Sequence, residues 1–220
     1  MNKKHLNVRN LVIIALFGAV AAVLMLFEIP LTFIVPEFIK LDFSELPVVL
    51  GTFMMGPVEG ILIATVKILL KLLIKGTSSA YVGELANWIY SVAYILPASL
   101  VYHFKKGKTG AGISLAVGTV VTACVAVVSN TFFIFPAYVK LYGMPMNVIV
   151  GMGTAINKNI TSLWTMMVWS IFPFNLIKYG LVSVITFFTY KRLKHVLFEK
   201  SGSLSRKEAE EIKKEANVQA

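Results

Sequence analysis

The residues able to do chemistry in this sequence are a few polar side chains set inside long apolar runs. Glu84 and Asn87 lie three apart near the start of one run, Asn175 and Lys178 lie three apart at the start of another, and Asn130 stands near the end of a third. On a helix, residues three apart share a face, so each pair points in one direction. Amides, a carboxylate and an ammonium together supply donors and acceptors. Lipid satisfies none of them, so such groups face a cavity or a partner helix. Two readings follow. The five converge as a capture site for a solute, or they form an internal lock in which Glu84 pairs with Lys178 and the asparagines bridge helices. Tyr81, Trp88, Phe132, Phe133, Phe135, Phe172 and Phe174 lie close by in sequence and favour a flat, amphipathic ligand, although aromatic rings also gather at membrane interfaces.

Lys67, Lys71 and Lys75 recur every four residues and form one stripe along a helix. Lys75, near the helix end, can reach water along its own stem. Lys67 lies deeper and calls either for a cavity or partner or for a long reach to the surface. Enzymatic readings find little support. Gly107, Lys108 and Thr109 spell the end of a phosphate-binding loop, but Tyr102 stands where its first glycine belongs and no strand precedes it. His5, His103 and His195 are scattered, without acidic neighbours at metal-ligand spacing. Cys124 is the single cysteine, which excludes an intrachain disulfide. No paired carboxylates sit inside the runs. The sequence therefore predicts no enzyme, no metal and no resident cofactor. The sequon at Asn159, Ile160 and Thr161 is read as chance.

The elements that position these residues follow from hydropathy. The chain has 220 residues, of which 57% are apolar and 15% charged, and its mean hydropathy is +0.76. Since a span takes roughly 20 apolar residues, the expected fold is an all-α integral membrane bundle of six transmembrane helices. They are placed at 8–27, 46–55, 58–74, 81–102, 112–133 and 174–190. The second is short and closes at Gly56 and Pro57. Residues 136–173 read as a long structured loop with short helical pieces, and residues 1–200 as one domain ahead of a polar tail, 201–220. The first run meets Glu28 and Pro30 without a small-residue cleavage site and is read as a retained helix. The loop 36–46, with Lys40, Asp42, Phe43 and Ser44, is expected to lie over the site as a lid.

The net charge of +10 raises nucleic acid as a partner, but the basic residues cluster at the ends of apolar runs, where they orient helices in a bilayer. Lys3, Lys4 and Arg9, then Lys105, Lys106 and Lys108, then Lys191, Arg192 and Lys194 fall on one side if six spans are counted. Both termini are then cytoplasmic, and nucleic acid is set aside. Helix 1 carries Ala15 and Ala19, with Gly18 and Ala22 offset beside them, two small-residue pairs that allow another helix to approach closely.

Five segments together resemble a known family. They are KLDFSELP from Lys40, GPVEG from Gly56, GELAN from Gly83, NTFFIFPAY from Asn130 and FPFNLIK from Phe172. The sequence is similar to the riboflavin-specific substrate-binding (S) components of energy-coupling-factor transporters, bacterial vitamin importers of the cytoplasmic membrane. That resemblance implies a six-helix bundle without an ATPase of its own. It implies riboflavin as the transported ligand, with FMN a second candidate, and partners in a transmembrane coupling subunit and two ATPase subunits. It implies a ligand site drawing on Asp42, Phe43, Glu84, Asn87, Asn130, Asn175 and Lys178, and docking through Ala15 and Ala19. An S component for a different vitamin, and a membrane protein whose polar cluster is only structural, remain as alternatives.

Overall fold

The computed structural model describes residues 8–105 and 107–194. Lys3, Lys4, His5, Lys106, His195 and the tail 201–220 lie outside the described residues, as do the side chains of Lys191, Arg192 and Lys194. The regular structure of the described residues is helical apart from one small hairpin. In order it contains α1 (Val8–Leu26), β1 (Ile29–Pro30), β2 (Lys40–Leu41), α2 (Glu45–Met55), α3 (Pro57–Lys75), α4 (Val82–Phe104), α5 (Lys108–Ser129), α6 (Phe135–Tyr142), α7 (Met146–Ile156), α8 (Leu163–Met166) and α9 (Phe172–Lys194). Two π turns, Asn130–Ile134 and Met167–Ile171, join α5 to α6 and α8 to α9.

Four continuous helical runs are long and apolar enough to cross a membrane: Val8–Leu26, Val82–Phe104, Lys108–Leu141 and Leu163–Thr189. Their outward faces carry large apolar side chains, among them Leu16, Leu100, Val120 and Phe188, as lipid-facing surfaces do. The 19 residues of α3 reach across a bilayer core at about 1.5 Å per residue, but its lysines lower its hydropathy. The 11-residue α2 is too short to span upright. It lies in the centre of the bundle, buried from Pro47 to Thr52.

The last two spans correct the sequence reading. Residues 136–173 are a loop only in part: the fifth predicted span continues to Leu141 and the last begins at Leu163 rather than at Phe174, while 143–162 is the expected connection, with α7 as its helical piece. Pro136 and Pro173 suggest breaks because a proline ring clashes with the preceding turn and donates no hydrogen bond. Each stands two residues after the end of a π turn, whose wider spacing absorbs the ring and lets the helix continue.

Close packing rests on small residues. α1 lies along α3, α4 along α5, and α5 along α9. A Cβ on Gly18 would come within 2.5 Å of the Val66 side chain, and one on Gly60 within 2.0 Å of the Thr52 side chain, so on α1 and α3 a glycine lets a neighbouring side chain sit directly on the helix backbone. Gly56 turns α2 into α3 at φ +131°, a region closed to most side chains, and Pro57 then opens α3 at its first position. Hydroxyls stitch the other spans: Tyr94 meets Ser183 at 2.7 Å, and Ser183 meets Thr119 at 2.9 Å.

Candidate functional site

Every lysine of the α3 stripe is paired, each with a different element. Lys67 Nζ meets Glu45 of α2 at 2.6 Å, with neither side chain exposed. Lys71 pairs with Glu84 of α4, which also accepts from Thr77 and Ser79. Lys75 and Lys40 share Glu28 at 3.2 Å each. Lys67 therefore faces a partner inside the bundle, and Lys75 reaches a surface carboxylate. The imagined lock between Glu84 and Lys178 is absent: Lys178 Nζ meets Asp42 at 2.8 Å.

That last pair ties the loop before α2 to α9. Burial by itself pushes the Asp42 carboxyl up, but the charges of Lys178 and Lys67 and hydrogen bonds from Lys178 and Ser44 outweigh it and hold the group below its usual value. The loop is fastened elsewhere too. Its ends pair as a hairpin, Ile29 with Leu41 and Pro30 with Lys40. Ser170 in the second π turn donates to the Ile34 carbonyl at 2.6 Å. Val35, Leu41 and Phe174 form a small core beneath it, with Phe43 packed against them.

Under the loop lies a cavity of about 110 Å³ whose wall includes Asn87, Asn130, Asn175 and Lys178. Four of the five residues singled out for converging therefore share one wall. Glu84 is not in it, being held by Lys71. Asp42 and Phe43 are not in it either: the first orients Lys178, and the second packs with the loop core. Tyr90, Phe135, Tyr138 and Phe174 supply rings, and Phe38 of the loop roofs the cavity, its ring 5.5 Å from that of Tyr138. Of the aromatics expected nearby, Tyr81, Phe132 and Phe133 point outward, and Trp88 donates to Thr65.

A wider recess of about 690 Å³ adjoins the cavity across Phe38, Lys40 and Tyr138, bounded by Pro36, Ser79, Ile149 and Met152 among others. Ligands of drug size occupy roughly 300–1,000 Å³. The inner cavity alone is too small for one, and the two volumes joined are ample. Both π turns border the inner cavity, through Asn130, Ile134 and Ile171, and π turns often sit at functional sites.

The sequence reading missed Tyr90, Tyr138, Phe38 and the two π turns. Tyr90 was within reach, standing three residues beyond Asn87 on the same helix face. Among the described residues, no group of three or more His, Cys, Asp or Glu side chains is placed to hold a metal.

Fold and site define a multi-helix membrane protein that encloses a small cavity with amide and ammonium groups in its wall and aromatic rings around them. The family model for the substrate-specific component of ECF transporters matches residues 9–190. The chain belongs to that family of transporter components. The riboflavin transporter RibU of Staphylococcus aureus is 33% identical over 189 residues, covering 86% of this chain and 92% of the relative. The riboflavin transporter FmnP of Bacillus subtilis is 29% identical, covering 86% and 94%. A solved structure described as the S component of a bacterial ECF transporter superposes with a TM-score of 0.67 at 32% identity, covering 86% of this chain and 98% of that one.

Proposed function

We propose that this chain is the riboflavin-capturing subunit of an ECF-type importer in a bacterial cytoplasmic membrane. The observation that carries the reading is the meeting of Asn87, Asn130, Asn175 and Lys178 at one aromatic-rimmed cavity, in a chain whose relatives are named riboflavin transporters. A planar tricyclic ring suits walls made of Tyr90, Phe135, Ile171 and Phe174. Its pyrimidine edge and ribityl hydroxyls need donors and acceptors together, which amides provide. FMN, which adds a phosphate to the ribityl end, is a second ligand for the same cavity.

In this reading the chain crosses the membrane six times with both termini cytoplasmic, α2 and α3 being the short and the charged crossing. The loop 27–44 faces outside and must lift, parting Phe38 from Tyr138 so that the two cavities merge. Delivery then needs a transmembrane coupling subunit driven by two ATPases. Ala15 and Ala19 lie exposed on α1 while Gly18 and Ala22 are buried within the bundle; the outward pair is the strip on which a coupling helix docks.

The spectrum of the purified protein tests the ligand. Expression in riboflavin-containing medium should yield yellow protein with flavin absorption. A colourless protein that binds another vitamin makes this an S component of different specificity, and a protein that binds none makes the polar wall structural.

A further inference from the structure

Each of the three asparagines around the cavity has one end of its amide committed to a partner that permits a single orientation. The Ile171 carbonyl, an acceptor only, takes a hydrogen bond from Asn175 Nδ2 at 2.8 Å. The Ala126 carbonyl takes one from Asn130 Nδ2 at 2.7 Å, and the same nitrogen donates to the Tyr90 hydroxyl at 2.7 Å. Lys67 Nζ, a donor only, gives a hydrogen bond to Asn87 Oδ1 at 2.7 Å. Because the two ends of an amide are chemically opposite, the committed end fixes what the other offers. Asn130 is left with its carbonyl oxygen to present, Asn175 with its oxygen and one N–H, and Asn87 with its NH₂.

Lys67 has no slack with which to release Asn87. Its ammonium has three donors, and they go to Glu45 Oε1 at 2.6 Å, Asn87 Oδ1 at 2.7 Å and Ser91 Oγ at 2.9 Å. Turning the Asn87 amide over would set its NH₂ against a buried cation. Among the described residues nothing accepts from Asn87 Nδ2, nor is it among the buried polar atoms left without a partner. It opens on the cavity that Asn87 lines. A buried lysine–glutamate pair costs desolvation that a pair of apolar residues would avoid, which leaves room for a role beyond stability.

We infer that Lys67, which does not line the cavity, is a positioning residue for it: it fixes Asn87 as a donor opposite the acceptor oxygens of Asn130 and Asn175. The wall thereby suits a heterocycle edge that sets a carbonyl beside an N–H, as in a cyclic imide: the NH₂ of Asn87 donates to the carbonyl and an asparagine oxygen accepts from the N–H. The inference rests on the flavin reading of the cavity, in which the ring supplies such an edge.

Riboflavin titration of the full chain in detergent, followed by quenching of flavin fluorescence, tests it. Losing one buried hydrogen bond should make Asn87→Ala about 5- to 150-fold weaker. Asn87→Asp keeps the shape and faces Lys67 well but offers the ligand an acceptor, so it should bind more weakly still than Asn87→Ala. An Asp variant that binds as well as the Ala variant, or better, overturns the assigned polarity. For Lys67, the paired change Lys67→Met with Glu45→Gln keeps the interior neutral and frees the amide to turn. It should weaken binding when Asn87 is present and change it by less than about twofold when Asn87 is Ala, as expected of residues acting through one contact. An equal loss in both backgrounds makes Lys67 merely structural and overturns the positioning role. Wild-type protein that takes no riboflavin overturns the proposed function itself, and this inference with it.

Discussion

Removing one charge of the Asp42–Lys178 pair, and then both, separates what the pair does for the fold from what Lys178 does for the vitamin. Asp42 is 4% exposed and Lys178 6%, and their charged atoms are 2.8 Å apart. Lys178→Met keeps the length of the side chain but strands the Asp42 carboxylate, and breaking a buried pair from one side costs about 3–5 kcal/mol. Asp42→Asn strands the ammonium instead. The double variant Asp42→Asn with Lys178→Met removes both charges, and neutral groups of similar volume replace a buried pair at little cost or with a gain of up to about 4 kcal/mol. Thermal unfolding in detergent should therefore put both single variants well below wild type and the double variant close to it. Binding should follow another order. Lys178 lines the cavity, so the double variant still lacks a charged donor and should lose about 1.5–3 kcal/mol, or about 10- to 150-fold in Kd. The pH dependence has a definite sign. The carboxyl of Asp42 sits below its ordinary value in the folded chain, so its contribution is complete above the unfolded pKa and is lost as pH falls through the folded one. The stability gap between wild type and Asp42→Asn should accordingly close on acidification. A double variant as unstable as the singles refutes the pairing argument, and one that binds riboflavin like wild type removes Lys178 from the ligand.

Three further outcomes are expected. Asn175→Ala should weaken riboflavin binding by about 1–3 kcal/mol with little change in melting temperature; unchanged binding in the same titration takes Asn175 out of the contact. On α1, Gly18→Leu forces a side chain onto Val66 and should lower the melting temperature by overpacking worth about 1–3 kcal/mol, whereas Ala15→Trp with Ala19→Trp should leave melting and riboflavin binding intact and abolish uptake by cells. Normal uptake by that double variant removes docking from this face, and lost binding places the strip inside the bundle. Limited proteolysis within residues 36–46 should slow when riboflavin is added, and equal cleavage with and without it speaks against a loop that closes over the vitamin.

The sequence made the site legible where one short stretch of helix carries it. Asn175 with Lys178 could be read from spacing, because three residues along a helix define a face whatever the rest of the chain does. Asn130 could be read from its place near the end of an apolar run. What spacing does not reveal is the partner across the bundle. Glu84 pairs with Lys71 of α3, and Asp42 lies 136 positions from the lysine it orients. The ends of the last two spans were lost for a local reason: proline signals a stop in an α-helix, and nothing in composition announces the π turn that cancels the signal.

On the proposed six-span reading, the same pairing explains why hydropathy undervalues α3. Glu59, Lys67, Lys71 and Lys75 count against a span when each is taken as a lone charge in hydrocarbon. The three lysines are instead neutralised by α2, by α4 and by the loop after α1, so the helix presents ion pairs to the bundle and Leu69 and Leu73 to the outside. Those three carboxylates come from the elements that must hold still if the loop above the cavity is to move. Glu28 anchors one end of that loop, Glu45 stands just past the other, and Glu84 opens the helix that carries Asn87. A charged row that looks like an obstacle to membrane insertion therefore works as a frame: α3 fixes both roots of the loop and the near wall of the cavity. On the proposed reading the part left to shift is the stretch around Phe38, which rests on Phe135 and Tyr138, on the small core of Val35, Leu41 and Phe174, and on the hydrogen bond from Ser170 to the Ile34 carbonyl.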